Sequence, residues 1–544
     1  MRPGLVLGAS LGACVHVAGI QNFLALCEGE GFRTTFLGPA VGPKALVEAA
    51  VRERPDIVAV SYRLSPEGAA RLFEELGREI ARKDLAGVRF VFGGTPPAAQ
   101  AAERSGLFER VFSGLEPVED IRAFIKGGVA RAGDRTFPAD LVSRILWKSP
   151  VPLIRHHYGR PTLAETLEGA ALIAEAEVLD VLSLGPDQNA QESFFRPAEM
   201  DREQDGAGGV PLRRPEDLGA IYERTRRGNH PLVRCYSGTR DLERWAEMSV
   251  RTIRNAWGAI PLCWYSVLDG RSGRGLAEAI AENQSVIRWY AERGIPVEVN
   301  ESHQWSLRDA HDSLAVAMAF LAAYNAKRAG VRHYVAQYMF NTPRETSPAM
   351  DLAKMAAKRE LIEGLADGGF EAFRQVRAGL ASMPADFDRA KGHLASSATI
   401  SQALEPHILH VVGYSESDHA ITAPELIESC RIARGALDHC LRGLPDMTAD
   451  PAVRARKDEL VAEAGVLLEA LRRLGEGASE DPWSDPPTIA AAIDKGLLDA
   501  PHFKGGGAGR GQVITRIVDG ACRAIDPATC RPLTEAERLA RLVG

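Results

Sequence analysis

The stretch Gly8-Ala9-Ser10-Leu11-Gly12-Ala13-Cys14-Val15-His16-Val17-Ala18-Gly19 decides how this chain is read. It follows a short apolar run, Leu5-Val6-Leu7, and opens an apolar helical run through Phe23 and Leu26. Strand, small-residue loop and helix in that order put His16 at the carboxyl end of a first strand, where open parallel sheets bind their ligands. An imidazole there can face a large planar cofactor.

Outward from this loop, residues 1–130 alternate β-rich and helical runs. Strands are expected at 5–7, 33–37, 56–61, 89–92 and 110–112, and segments such as 43–54 and 66–81 carry apolar residues at helical spacing. Five such βα units make a doubly wound, flavodoxin-like (Rossmann-like) parallel sheet. At its carboxyl ends stand His16, then Ser61-Tyr62-Arg63-Leu64, then Gly93-Gly94, then Gly114. Paired glycines let a bulky group approach the backbone where a β-carbon would collide.

His16-x-x-Gly19, Ser61 and Gly93-Gly94 together resemble the cobalamin-binding domain of mutases and methionine synthase, whose pattern is Asp-x-His-x-x-Gly, then Ser-x-Leu, then Gly-Gly. The resemblance implies a cobalamin whose dimethylbenzimidazole tail leaves cobalt and threads past Ser61, Gly93 and Gly94. His16 then becomes the lower axial ligand of the metal, with Cys14, Gly19 and Gly114 around it. Two positions depart from the pattern. Arg63 replaces the leucine, and Cys14 replaces the aspartate that orients the histidine. Such partners typically contribute roughly 10–100-fold in metal affinity or activity, and a thiol substitutes only weakly. A flavodoxin-like module for some other ligand is the alternative reading.

Residues 131–150 read as a linker to a second domain at 151–480. Strands are expected there at 153–156, 178–184, 232–236, 260–266, 297–300, 333–339 and 408–412, with helices between them. Seven βα repeats of this kind suggest a (β/α)8 TIM-type barrel whose eighth strand is not placed, with active residues at the carboxyl ends of the strands. Those ends are polar: Arg155-His156-His157-Tyr158, Asp187 to Glu192 with Arg196, Arg234 to Asp241, Trp264-Tyr265, Glu301-Ser302-His303-Gln304-Trp305, and Gln337 to Asn341. Adjacent His156 and His157 point to opposite faces of a strand, so at most one faces the mouth. The stretch 351–376 and the run 453–474 read as amphipathic helices.

This second part resembles the catalytic subunit of glutamate mutase, also called methylaspartate mutase. The likeness rests on His303-Gln304-Trp305 followed by Asp312-Ser313, on Arg234 with Gly238-Thr239-x-Asp241, and on the closing run Ile493 to Pro501 and Lys504 to Gly509. It implies that Arg234 contributes to a clamp on substrate carboxylates. The polar strand ends supply the other candidates: Arg155 and Arg196 in the clamp, Gln304, Trp264 and Tyr265 around the substrate, and His303, Asp187 and Glu301 as catalytic groups. The resemblance also implies a C-terminal segment, 481–544, covering the cofactor face. Where that family holds the substrate amino group with a glutamate, this chain reads Asn255-Ala256-Trp257-Gly258; near the family's lysine and glutamate that touch the adenosyl group it has Gln337 and Asn341. The expected substrate is therefore a carboxylate or acyl compound other than glutamate.

The bulk properties agree with small-molecule chemistry. The 544 residues allow two or three domains, and a formal charge of −7 without a basic block points away from nucleic acid and anionic membranes. The start lacks the length and cleavage site of a signal peptide, and no apolar run approaches roughly 18 residues, so a cytoplasmic protein is expected. A homo-oligomer, most simply a dimer, is expected too. The eight cysteines are dispersed, without the close triplet that cobalamin-dependent radical-SAM enzymes need for their cluster. The leading expectation is an adenosylcobalamin-dependent carbon-skeleton mutase. A methylcobalamin-dependent methyltransferase and a non-catalytic corrinoid carrier or sensor are the alternatives.

Overall fold

The computed structural model describes residues 4–116, 118–127, 136–236 and 238–543. The chain divides into two compact units, Met1–Thr136 and Phe137–Gly544. The first quarter of the expected linker, 131–135, lies outside the described residues.

The first unit runs β1 (Leu5–Ser10), α1 (Ala18–Gly29), β2 (Arg33–Phe36), α2 (Pro43–Glu53), β3 (Ile57–Tyr62), α3 (Pro66–Ile80), β4 (Arg89–Gly94), α4 (Pro96–Ser105), β5 (Arg110–Phe112) and α5 (Val118–Gly127). The sheet is parallel with order β2-β1-β3-β4-β5, the flavodoxin-like order. Its central strand β3 is buried at every position, the pattern of a strand covered on both faces. Pro43, Pro66 and Pro96 open their helices, where a missing amide hydrogen costs nothing. β1 continues past its apolar run because Gly8, Ala9 and Ser10 pair with Ala59, Val60 and Ser61.

The second unit begins with α6 (Leu141–Lys148), inside the expected linker; Leu141 and Ile145 pack beneath the sheet that follows. Then come β6 (Leu153–Tyr158), α7 (Leu163–Glu175), β7 (Val181–Leu184), α8 (Gln188–Ser193), α9 (Pro215–Arg224), β8 (Leu232–Cys235), α10 (Leu242–Ile253), β9 (Gly258–Ile260), α11 (Leu276–Ala291), β10 (Val297–Val299), α12 (Ser302–Ser306), α13 (Asp312–Arg328), β11 (His333–Phe340), α14 (Pro348–Glu363), β12 (Glu371–Ala378), α15 (Phe387–Ser401), β13 (Ile408–His410), α16 (Ala423–Cys440), α17 (Pro451–Leu474) and α18 (Pro486–Asp494). A hairpin, β14 (Thr515–Val518) and β15 (Ala521–Ala524), and α19 (Glu535–Val543) end it.

Its eight-stranded sheet is parallel throughout, in the order β8-β7-β6-β13-β12-β11-β10-β9. The sheet curls until its edges meet. No ladder joins β8 to β9 among the described residues, but Ala256 N donates to Val233 O (3.0 Å) and Cys235 N donates to Asn255 Oδ1 (3.0 Å). Leu153, Val181, Leu232, Trp257, Val335, Phe373 and Ile408 form one apolar cluster drawn from strands across the sheet, which marks the inward face.

Three expectations need correction. The eighth strand is β12, which replaces the end of the helix expected over 351–376: α14 stops at Glu363, Asp367-Gly368-Gly369 turns the chain, and Phe373, Gln375 and Arg377 alternate inward. The strand expected at 260–266 is β9, ending at Ile260; Pro261 and the left-handed Tyr265 (φ 61°) break it. The strand expected from 178 starts at Val181, because Asp180 is spent on Ile154 N (2.7 Å) and Lys148.

The C-terminal hairpin lies beside the loops that follow β10 and β11. Thr515 Oγ1 donates to Asp309 O (2.8 Å), Cys522 N to Asp312 Oδ2 (3.1 Å), and Ser347 N to Gly520 O (2.8 Å). Asp312 also pairs with Lys354 (3.0 Å) and Arg456 (3.2 Å), all buried. On α19, buried Glu535 pairs with His311 and with Arg538 (2.9 Å). Burial alone would raise its carboxyl, but His311 and Arg538 hold it down at about 2. Because the folded value lies below the unfolded one, about 4.5, this pairing stabilises fully above that pH and fades as pH falls toward 2. Its worth is roughly 3 kcal/mol. Amide protection factors in β14–β15, referenced to the intrinsic exchange rate at each pH, should therefore fall across that acid window, and Glu535→Gln should show the lower protection already at neutral pH.

Candidate functional site

In the first unit, the loops at the carboxyl ends of β1, β3 and β5 form one rim. His16 is exposed on the first loop, Leu64 is exposed on the second and Leu115 on the third, with exposed Val15 beside the histidine. Exposed apolar side chains gathered around an imidazole mark a binding surface. Cys14 Sγ lies 3.7 Å from His16 Nδ1, so the thiol stands in the orienting position, and Nε2 has no hydrogen-bond partner among the described residues. Behind the rim, Ser61 is buried and its hydroxyl oxygen has no hydrogen-bond partner among the described residues. A β-carbon built on Gly93 would meet nothing within 4 Å, whereas one on Gly94 would come within 2.5 Å of Tyr62 O. Gly114 adopts φ 82°, and Gly19 borders open space. An unpaired buried hydroxyl beside an unfilled cradle and an outward imidazole fits a large ligand with a polar tail.

In the second unit, the residues two positions beyond the apolar cluster make a charged inner layer, since alternate side chains share a face. Arg155 Nε donates to Ser183 Oγ (2.7 Å), Nη1 to Gln375 Oε1, and Nη2 approaches His157 Nε2 (2.7 Å). Glu298 Oε2 accepts from Trp257 Nε1 (2.7 Å) and lies 3.6 Å from Arg155 and 3.7 Å from Arg234. Arg234 is fully buried, stacked over Trp257 (5.3 Å) and Tyr236 (4.9 Å), and none of its three guanidinium nitrogens has a hydrogen-bond partner among the described residues. Gln337 Oε1, Gln375 Nε2 and His410 Nδ1 are buried and unpartnered as well. Native interiors leave few such groups, and a cluster of them marks a place for a ligand.

The electrostatics follow from burial and mutual repulsion. Burial, then Arg234, push Arg155 down to about 9, still charged at neutral pH. Burial opposes the charge on Glu298, but Arg234 and Arg155 keep its carboxyl below the usual range. Burial, then Arg377, hold His303 at about 3, a neutral imidazole. Lys358 on α14 is buried, and burial followed by Lys354 brings it to about 7.

The other expected residues are placed as follows. Asp187 caps α8 at Ala190 N (2.9 Å) and holds Gly206 N (2.9 Å) and Arg213 (3.0 Å), organising its loop. Glu301 accepts from Leu262 N (2.9 Å), Cys263 N (3.0 Å) and Trp305 Nε1 (2.7 Å), and so sets α12 and the position of His303. Arg196 engages Asp241 (2.7 Å) and Glu199 (3.3 Å) instead of joining Arg155 and Arg234. Trp264 packs on Trp305 and Phe503 under Arg308, Gln304 accepts from Arg308 (3.1 Å), and left-handed Tyr265 anchors its loop on Asp269. Asn341, also left-handed, reaches His393 (3.1 Å) on α15. Glu298, Gln375, Arg377, Trp257, Tyr236 and His157 join the site without having been singled out for it. Their signal was polar alternation inside strands, as in Arg155-x-His157, Arg234-x-Tyr236 and Gln375-x-Arg377.

A family profile described as the B12 binding domain matches residues 4–120. No curated protein gives a significant match. Among solved structures, a novel cobalamin-binding protein from Desulfitobacterium hafniense DCB-2 is 21% identical over 24% of this chain and 60% of its own, with a TM-score of 0.21. The chain thus spans under two thirds of that protein. 2,3-Dimethylmalate lyase, a PEP mutase/isocitrate lyase superfamily member, is 15% identical over 62% of this chain and 100% of its own, with a TM-score of 0.27. The cobalamin-dependent S-adenosylmethionine radical enzyme OxsB is 10% identical over 92% and 72%, with a TM-score of 0.18. The first unit is a flavodoxin-like B12-binding domain, joined in this chain to a curled parallel α/β unit. Among the described residues no helix is long and apolar enough to cross a membrane.

Proposed function

We propose that the chain is an adenosylcobalamin-dependent carbon-skeleton mutase acting on a carboxylate or acyl substrate. The observation that carries the reading is Arg234, a dry guanidinium with three unpaired nitrogens, in a chain that begins with a B12-binding domain. Glu298, 3.7 Å away, balances the charge but not the donors, and buried donors without acceptors are expensive unless a ligand completes them. The inner layer holds Arg155, Arg234 and Arg377 against one carboxylate, Glu298, so the substrate supplies negative charge. No spare carboxylate faces that layer to hold an ammonium group, because Glu301 and Asp187 are committed elsewhere.

In the first unit, His16 would hold cobalt and Ser61 and Gly93 would receive the cofactor's tail. Adenosylcobalamin, when bound, supplies a carbon-centred radical for hydrogen abstraction. The remaining work belongs to this chain's residues. Arg234 and Arg155 clamp the acid, with each charge-assisted hydrogen bond worth about 1.5–3 kcal/mol. Neutral His303 donates to or polarises the migrating fragment, held there by Glu301 through α12. The C-terminal segment packs beside the second unit's loops after β10 and β11 and limits water there.

Gly93→Val tests the cradle. The side chain enters open space, so apo stability should be unchanged while cobalamin binding is lost. The function itself is tested by electron paramagnetic resonance of protein loaded with adenosylcobalamin and offered candidate dicarboxylates and acyl compounds. A coupled cob(II)alamin–radical signal that needs the acid supports the mutase. Turnover of methylcobalamin without any radical sinks it in favour of methyl transfer, and cofactor binding with neither outcome leaves a carrier or sensor.

A further inference from the structure

We propose that Asn255 is the positioning residue of Arg234: its side-chain amide fixes the backbone that carries the guanidinium. This rests on reading the inner layer of the second unit as the acid site. Among the described residues no hydrogen bond holds the Arg234 side chain, and Glu298 stays 3.7 Å away. What holds it is the strand beneath it and the ring faces of Trp257 and Tyr236, 5.3 and 4.9 Å from the guanidinium.

In a parallel ladder, the residue facing Arg234 donates its amide to the carbonyl before Arg234 and accepts from the amide after it. Ala256 makes the first of these bonds, to Val233 O at 3.0 Å. The second, from Cys235 N, goes to Asn255 Oδ1 at 3.0 Å. A backbone N–H only donates, so the amide oxygen faces Cys235 and the Nδ2 end is turned to the Tyr290 hydroxyl, 3.5 Å away. Bonds from residues 255 and 256 thus grip β8 immediately before and after Arg234, where the two edges of the sheet meet.

The gripping segment is itself fixed. Arg254 is left-handed (φ 50°) where α10 ends, which turns the chain into Asn255. Gly258 lies on the Tyr290 ring, where a β-carbon would come within 2.6 Å. Between them, Trp257 donates its indole N–H to Glu298 (2.7 Å) and presents its face to Arg234. One short run therefore sets both the backbone of the guanidinium and the surface on which it lies. An anion clamp with no hydrogen bonds of its own depends on such support, because a misplacement of about 1 Å can cost roughly 100-fold.

Two measurements on the full chain loaded with hydroxocobalamin test this. In protein labelled with 15N-arginine, the Arg234 Nε–H signal, identified by its loss in Arg234→Met, should stand upfield because two aromatic faces lie against the guanidinium. In Asn255→Ala it should move back toward the other arginines or split, while the Arg155 signal, identified by its loss in Arg155→Lys, keeps its place. Asn255→Ser, whose hydroxyl is too short to reach Cys235 N, should behave in the same way and serves if the alanine variant does not fold. An Arg234 signal that stays in place in a folded variant overturns the proposal. Joint movement of Arg234 and Arg155, or failure of both variants to fold, also overturns it and assigns Asn255 to structure alone. In calorimetric titrations with glutarate, the folded variant should bind about tenfold more weakly, and unchanged affinity overturns the proposal. Wild-type protein that binds no glutarate at all overturns the acid-site reading instead, and the arginine spectra then still decide whether Asn255 sets Arg234.

Discussion

In cobalamin-loaded protein, His16→Ala should erase the nitrogen splitting that an imidazole ligand imprints on the cob(II)alamin resonance. In wild-type protein that splitting is a triplet, and it becomes a doublet when histidine carries 15N. The basis is geometric: His16 is exposed on the loop after β1, and its Nε2 is unengaged. Apo stability should change little, because the side chain is exposed and its contact with the buried Cys14 thiol is a weak one at 3.7 Å. Cys14→Ala should leave the splitting and weaken binding by less than the roughly 10–100-fold typical of a carboxylate partner, since a thiol is a poor one. An unchanged spectrum in His16→Ala would remove the axial ligand from the account.

The second large effect concerns Arg234. Arg234→Met keeps length and removes the guanidinium. Two charge-assisted hydrogen bonds to an acid are worth about 3–6 kcal/mol, so kcat/KM should fall by roughly 10²–10⁴. The fold should not suffer. Among the described residues Arg234 has no hydrogen bond to lose; it repels Arg155, which offsets the lost 3.7 Å ion pair with Glu298, and replacing a buried charge by an apolar group of similar size is often neutral or stabilising. Glu298 keeps Trp257 and Arg155. Apo melting at or above the wild-type temperature together with lost turnover is the expected pair of results. Lower melting with full turnover would assign Arg234 to structure.

The first unit was legible because its signals are local. A histidine, a serine and a glycine pair at three strand ends are each visible within a few residues, and the profile match over 4–120 falls on the same stretch. The second unit was legible in outline and opaque inside. Gln375 and Arg377 lie in a strand rich enough in charge to read as amphipathic helix, and Glu298 is one letter in Val-Glu-Val. Their chemistry exists only because the curled sheet aims them at Arg155 and Arg234, residues far away in the chain. Asp187 and Glu301 show the converse. Acids at strand ends look catalytic, but sequence does not reveal that backbone amides will consume them.

The Asp312 carboxylate fixes when this protein can finish folding. Its two oxygens hold Lys354, Arg456 and the amide of Cys522, which lie 42, 144 and 210 residues further along the chain. During synthesis the first of these partners emerges soon after Asp312 and the last only 210 residues later. Until then the start of α13 carries an acid and two bases without the hairpin that encloses them. The loops beside it, including the one that bears His303, take their final positions only when the ribosome has released the hairpin around Cys522.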